Sequence, residues 1–226
     1  AGGDLRESPF VTEPVAVQIS YRLGGADGVA VEARKWEWAF HSLGFRVRRV
    51  AGELDDGLRP DDIWLPFLAI DPEEASTPDP DALAAAIAGA DLVIVENLCS
   101  LPINPDAATL TAGVLDRHEG AVVFHHHDLP WQRAGLFCPP GIPPRRDNSL
   151  HVTINEHSRI ELAHRGFDAI AIRNAFDLDP QTGDRDGPGP APPVNARGAA
   201  SPRVPSAARS GAARPATRRS SPTTAR

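Results

Sequence analysis

PVAVQISYRLGGADGVAVEARKWEWAFHSLGFRVRRV, residues 14–50, decides the fold. Pro14–Ser20 is a short apolar run, the pattern of a buried strand. Leu23–Gly28 reads LGGADG, a loop whose paired glycines keep the backbone flexible. Val29–Leu43 carries apolar residues at Val29, Ala33, Trp36, Ala39, Phe40 and Leu43, one stripe of a helix, with Gly44 as its C-cap. Phe45–Val50 is a second strand. The opening is therefore strand, Gly loop, helix, strand.

The alternation continues outward. Asp79–Ala88 is an Ala-rich helix started by an Asp/Pro cluster. Asp91–Glu96 (DLVIVE) is a nearly continuous apolar strand, as expected where both faces of a parallel sheet are covered. Asn104–His118 reads as a helix, Ala121–His125 and Leu150–Ile154 as strands, Glu156–Arg165 as a helix ended by Gly166, and Asp168–Ile172 as a last strand. Asp55–Pro78 is irregular and Pro-rich, with a short strand and a substrate-side loop expected within Ile63–Ile70. Strands alternating with helices predict an α/β fold, a doubly wound, mostly parallel, Rossmann-like sheet.

The pattern stops near residue 180. Gly183–Arg226 is almost wholly Ala, Arg, Pro, Ser, Gly and Thr, and its only larger aliphatics are Val194 and Val204. Such a segment has too little apolar surface to offset the entropy of ordering. The expected organisation is a flexible N-terminus over 1–13, one domain over 14–180 and a disordered tail over 181–226. One lysine against 22 arginines fits a GC-rich gene, in which a shifted reading frame yields a tail of this kind.

Eight arginines against Asp184 and Asp186 make the tail +6, which leaves the remainder at −13 in a chain of −7. So acidic a body argues against nucleic acid as a partner, and the tail has no aromatics on which bases could stack. Cys99 and Cys138 read as reduced thiols of a cytoplasmic protein. No stretch approaches a membrane span, and Ala1–Pro14 lacks the apolar core of a signal peptide. Peripheral membrane contact stays open.

In doubly wound sheets ligands bind beyond the carboxyl ends of the strands, and three segments fall there. At Arg22–Gly28, the Gly24–Gly25 pair lets the backbone approach a phosphate or sugar, and the following helix start offers N–H groups. The same pair also suits a mere tight turn. The spacing is not that of a dinucleotide fingerprint, and no cofactor is expected. His125–Arg133 (HHHDLPWQR) ends a strand. Consecutive histidines point to alternating faces, so the three do not all reach one metal, and none is expected. They read either as packing against the sheet or as a polar cluster of His126 or His127 with Asp128 and Arg133, aimed at sugar hydroxyls or an anion. Glu96–Leu101 (ENLCSL) brings Glu96 and Asn97, which either bind hydroxyls or cap the turn.

Together these segments resemble the N-terminal domain of family-4 retaining glycosyltransferases of the GT-B fold. SYRLGGADGVAVEARKWEWAFHSLGFRVRRV is similar to their strand, Gly-Gly loop and long helix. HHHDLPWQR is similar to the His/Asp segment that faces the cleft. HVTINEHSRIELAHRGF is similar to a helix late in that domain. AIRNAFDLDP resembles the crossing into the second domain, with departures at Arg173, Ala175 and Phe176. The likeness covers residues 15–179. It implies transfer of a sugar from a nucleotide-diphosphate donor to an acceptor hydroxyl, with retention. It implies His126, His127 and Asp128 as catalytic residues, and Arg22, Gly24, Gly25, Glu96, Asn97 and Arg133 as substrate-binding ones. The domain would chiefly bind the acceptor.

In that family the donor half carries two glutamates eight residues apart. No such pair occurs here, and no glutamate follows Glu161. The expectation is a truncated or frameshifted transferase, inactive as this chain alone. The competing reading is a non-catalytic nucleotide- or phosphate-binding module.

Overall fold

The first strand, β1 (Val15–Leu23), runs three residues beyond the apolar run that announces it. Helix α1 (Gly28–Ser42), strand β2 (Arg46–Leu54), the two-residue β3 (Ile63–Trp64), helix α2 (Pro80–Ile87) and strand β4 (Leu92–Glu96) follow. Next come α3 (Pro105–Leu115), β5 (Ala121–His126), β6 (Ser149–Thr153), α4 (Glu156–His164) and β7 (Ala169–Ala171). This computed structural model describes residues 13–73 and 76–174. The expected tail over 181–226 and all but the last residue of the expected flexible segment over 1–13 lie outside the described residues.

The seven strands form one sheet in the order β3-β2-β1-β4-β5-β6-β7, and every pair is parallel. The order reverses beside β1, which is where a doubly wound sheet opens its binding crevice. Parallel strands need helical crossovers, and those crossovers cover both faces. On one face Val17, Ile19, Val93, Val95 and Phe124 pack against Leu83 and Ile87 of α2 and Ala108 and Leu115 of α3. On the other, Ala16, Val47 and Ile94 meet Trp36 and Phe40 of α1. Each fully buried Leu, Ile or Phe contributes about 1.5–3 kcal/mol by leaving water. The face under α1 is less apolar, and Gln18, Arg49, Glu96 and His125 are buried there or along it.

Polar side chains cap the helix starts. Asp27, Asp79, Asn104 and Asn155 accept hydrogen bonds from the first free N–H groups of α1, α2, α3 and α4. Asn104 has a second task. Its Nδ2 donates to the carbonyls of Phe67, at 3.1 Å, and Ala69, at 2.7 Å. That ties the irregular Ile63–Ile70 segment to the sheet. Gly52 allows the same segment to close, because a Cβ there would stand 2.0 Å from the Ala69 nitrogen.

Candidate functional site

Register carries three polar residues into one row. Ser20 of β1 pairs with Glu96 of β4, and Glu96 pairs with His125 of β5. The carboxyl ends of β1 and β5 thus open on the same edge, with only β4 between them. Gln18, one residue pair back along β1, donates from Nε2 to Glu96 Oε1 at 3.3 Å.

The histidine run alternates as strand geometry demands. His125 and His127 face the α1 side and His126 faces the other. The Glu96 carboxylate is fully buried and accepts from His125 Nδ1 at 2.7 Å. His127 Nε2 stands 3.6 Å from the same oxygen, and the His127 side chain is 6% exposed. Burial pushes the Glu96 carboxyl up, but the hydrogen bond from His125 and the neighbouring His127 outweigh it and hold it below the usual range. The Trp36 ring covers His125 at 4.4 Å between centroids.

His126 is enclosed on the opposite face. Its Nδ1 pairs with the Ser100 hydroxyl and its Nε2 lies 2.8 Å from His151 Nδ1. The two rings are parallel. Burial drives His126 well below its ordinary pKa and His151 down to about 4, so both are neutral at pH 7.

The turn after β4 positions the end of β5. Asn97 adopts φ 58°, a conformation uncommon outside glycine. Its Oδ1 accepts from the backbone N–H groups of His127 and Asp128, both at 3.1 Å. Tyr21 braces the same turn by donating to the carbonyls of Leu98 and Leu101. Beyond it Asp128 and Arg133 form an ion pair of 2.7 Å at the surface.

The Gly loop is crowded with carboxylates. Arg22 pairs with Asp27 at 3.1 Å, Asp55 at 3.5 Å and Glu53 at 3.9 Å. The expectation that the start of α1 offers unoccupied N–H groups is corrected here. Asp27 Oδ1 already accepts from Val29 and Ala30, at 3.0 and 3.1 Å. Burial raises the Asp27 carboxyl, but the Ala30 N–H and the Arg22 guanidinium outweigh it and keep it anionic. Gly24 has φ +82°, and a Cβ there would stand 2.1 Å from Asp56 Oδ1. Its freedom is spent on the packing of Asp56, which Arg49 holds at 2.8 Å.

Glu96, His125 and His127 are thus brought together under α1, and Asn97 and Asp128 adjoin them. Arg22, Gly24 and Gly25 sit at the end of β1 on the same edge. No hydrogen bond or ion pair joins the Gly loop to the histidine segment among the described residues. Several supporting residues escaped the sequence reading. Gln18, Trp36, Ser100 and His151 look like ordinary strand or helix residues, and only contacts across the sheet reveal them. Arg34 was equally silent. It is exposed, donates to the Gly25 carbonyl at 3.1 Å, and has no ion-pair partner among the described residues.

Comparison with known proteins adds ancestry. The chain is 24% identical over 197 residues to a mannosylglucosylglycerate synthase of Petrotoga mobilis, a match covering 71% of this chain and 45% of the relative. It is 27% identical over 198 residues to the mannosylglucosylglycerate synthase of Thermotoga maritima, covering 71% and 44%. The chain is related to glycosyltransferases. It spans under half the length of these curated relatives. No family model and no solved structure matches it. Among the described residues no helix is long and apolar enough to cross a membrane.

Proposed function

We propose that residues 13–174 are the acceptor-side half of a family-4-like retaining GT-B glycosyltransferase, which moves a sugar from a nucleotide-diphosphate donor to an acceptor hydroxyl. The observation that carries the reading is the Asn97 turn. A residue in the left-handed region commits its side chain to the backbone of His127 and Asp128, at the sheet edge that β1 also reaches. Such uncommon backbone conformations cluster where a position must be held. In this reading His127 and Asp128 touch the sugar. Arg133 orients Asp128, and Glu96 acts through His127 because its carboxylate is enclosed. His126, buried with Ser100 and His151, supports the strand end from behind. Arg22, Gly24 and Gly25 line the donor side. Arg34 supplies the cation there that the paired Arg22 lacks, which matters for a leaving diphosphate. Two unpaired cysteines keep the cytoplasm as the proposed compartment.

A complete GT-B site lies between two domains, so residues 13–174 by themselves supply only part of the transition-state contacts and should transfer no sugar. A chimera tests this, with residues 13–174 replacing the matching segment of the Thermotoga maritima relative. Release of nucleotide diphosphate over a panel of nucleotide sugars and hydroxyl acceptors is measured, with cooperative melting as the check on folding. Donor-dependent turnover by the chimera, lost in His127→Ala, supports the reading. A folded chimera inactive on every pair, or saturable turnover by the chain alone, overturns it. The second reading is a phosphate- or nucleotide-binding module without transfer. It predicts nucleotide affinity in the chain alone.

A further inference from the structure

We propose that Glu96, His125 and His127 form a binding site for one divalent transition metal ion of the zinc class. The three residues offer two imidazole nitrogens and a carboxylate oxygen, all within 4.8 Å of one another. Zinc lies about 2.0–2.2 Å from such donors, so one ion between them needs only small side-chain rotations. The spacing has a backbone cause. Residues two apart on a strand share a face, and Glu96 is the register partner of His125 on the next strand. The consecutive histidines that argue against a metal when read as a triplet argue for one when His126 is removed and Glu96 is added.

Three further observations point to a missing ligand. His127 Nε2, 3.6 Å from the Glu96 carboxylate, is buried without a hydrogen-bond partner, and so is His125 Nε2, the ring nitrogen that does not meet Glu96. Buried polar atoms normally find one, so each unpaired atom calls for an explanation. The Glu96 carboxylate is wholly buried, and no arginine or lysine ion-pairs with it among the described residues. The nearest donors are the two imidazoles and the Gln18 amide. A buried carboxylate is costly, and a dication would balance it. The outer contacts also suit a metal site. Gln18 holds Oε1 and leaves Oε2 toward the histidines, while Trp36 fixes the His125 ring. The group offers three protein ligands. A fourth position is left for water or a substrate oxygen, as in zinc sites that do chemistry. His127, 6% exposed at the end of β5, is the route in.

The proposal does not depend on sugar transfer, and its test reads metal alone. The full chain, purified without a histidine tag and stripped with a chelator, is titrated with Co2+ and then with competing Zn2+. The expected result is visible cobalt absorption that saturates at one ion per chain and is displaced by zinc. Glu96→Gln and His127→Asn, with far-UV circular dichroism to check folding, should abolish it. His41→Ala with His157→Ala, two surface histidines, should leave it intact. A second measurement needs no variant. With 15N-histidine labelling, one equivalent of Zn2+ should shift the ring nitrogens of two histidines and spare the coupled His126–His151 pair. No saturable cobalt band, a band that survives both ligand variants, or zinc shifts confined to surface histidines would overturn the site.

Discussion

Asn97 Oδ1 accepts the backbone N–H of His127, 30 residues ahead, at 3.1 Å, and does so from a left-handed backbone. The side chain of one strand-end residue thus sets where the next strand's last residues lie. Asparagine suits the position twice over, since it tolerates positive φ better than most residues and carries the acceptor.

Two substitutions separate those duties. Asn97→Gly keeps the backbone freedom but orphans the His127 and Asp128 N–H groups, at a cost of about 1–3 kcal/mol. Asn97→Ala loses the same bonds and adds strain of about 1 kcal/mol. Urea denaturation of both variants measures the difference. Equal stability in Gly and Ala would show that φ is not strained, and wild-type stability in both would show that the bonds do not matter.

The paired glycines should differ. At Gly24 an added Cβ meets both Asp56 Oδ1, at 2.1 Å, and the Asp56 backbone nitrogen, at 2.8 Å, with φ +82°. At Gly25 it meets the movable end of Asp55 at 2.7 Å, with no positive φ. Gly24→Ala should therefore destabilise by about 2 kcal/mol or more, and Gly25→Ala by under about 1 kcal/mol. In the chimera, Gly25→Leu should abolish transfer while the melting temperature barely moves. A large drop in melting temperature for Gly25→Leu would make that glycine structural.

Acid should weaken the fold through His151. Its ring titrates near 4 when folded, against an ordinary 6.5, chiefly because it is buried, with Arg145 adding to the effect. Above pH 6.5 it is neutral in both states and adds no pH dependence. Between 6.5 and 4 the unfolded chain takes up a proton that the folded chain refuses, so stability falls, and the loss levels off below 4. Between pH 7 and pH 5 this amounts to about 2 kcal/mol. His151→Phe, flanked by Phe124 and Phe167, should flatten the urea-measured dependence over that window. An unchanged slope in the variant would rule His151 out as its source.

Much of the fold was legible in residues 14–174. Strands and helices fell within a few residues of their expected ends because buried parallel strands are apolar without interruption, as in Leu92–Glu96, and because the Asp/Pro cluster at Asp79 and the glycines Gly44 and Gly166 mark helix ends by their own backbone chemistry. Strand β2 is the main departure. It runs on to Leu54 through Gly52 and Glu53, and Gly52, which weakens a strand when read locally, serves here because the Ala69 backbone packs where a Cβ would stand.

The candidate site divides the same way. From the sequence alone came the three loops at the strand ends and the alternation of the histidines, since both follow from period-two geometry and strand direction. Which imidazoles share a face with a carboxylate depends on the register between β4 and β5. Whether Gly24 faces a ligand or Asp56 depends on how β2 leaves the sheet. Those are contacts between residues some 30 apart, and local pattern cannot encode them. Tertiary structure alone made Glu96 a buried partner of His125 and His127, turned Asn97 into a support for the histidine segment, and drew His126 into the core.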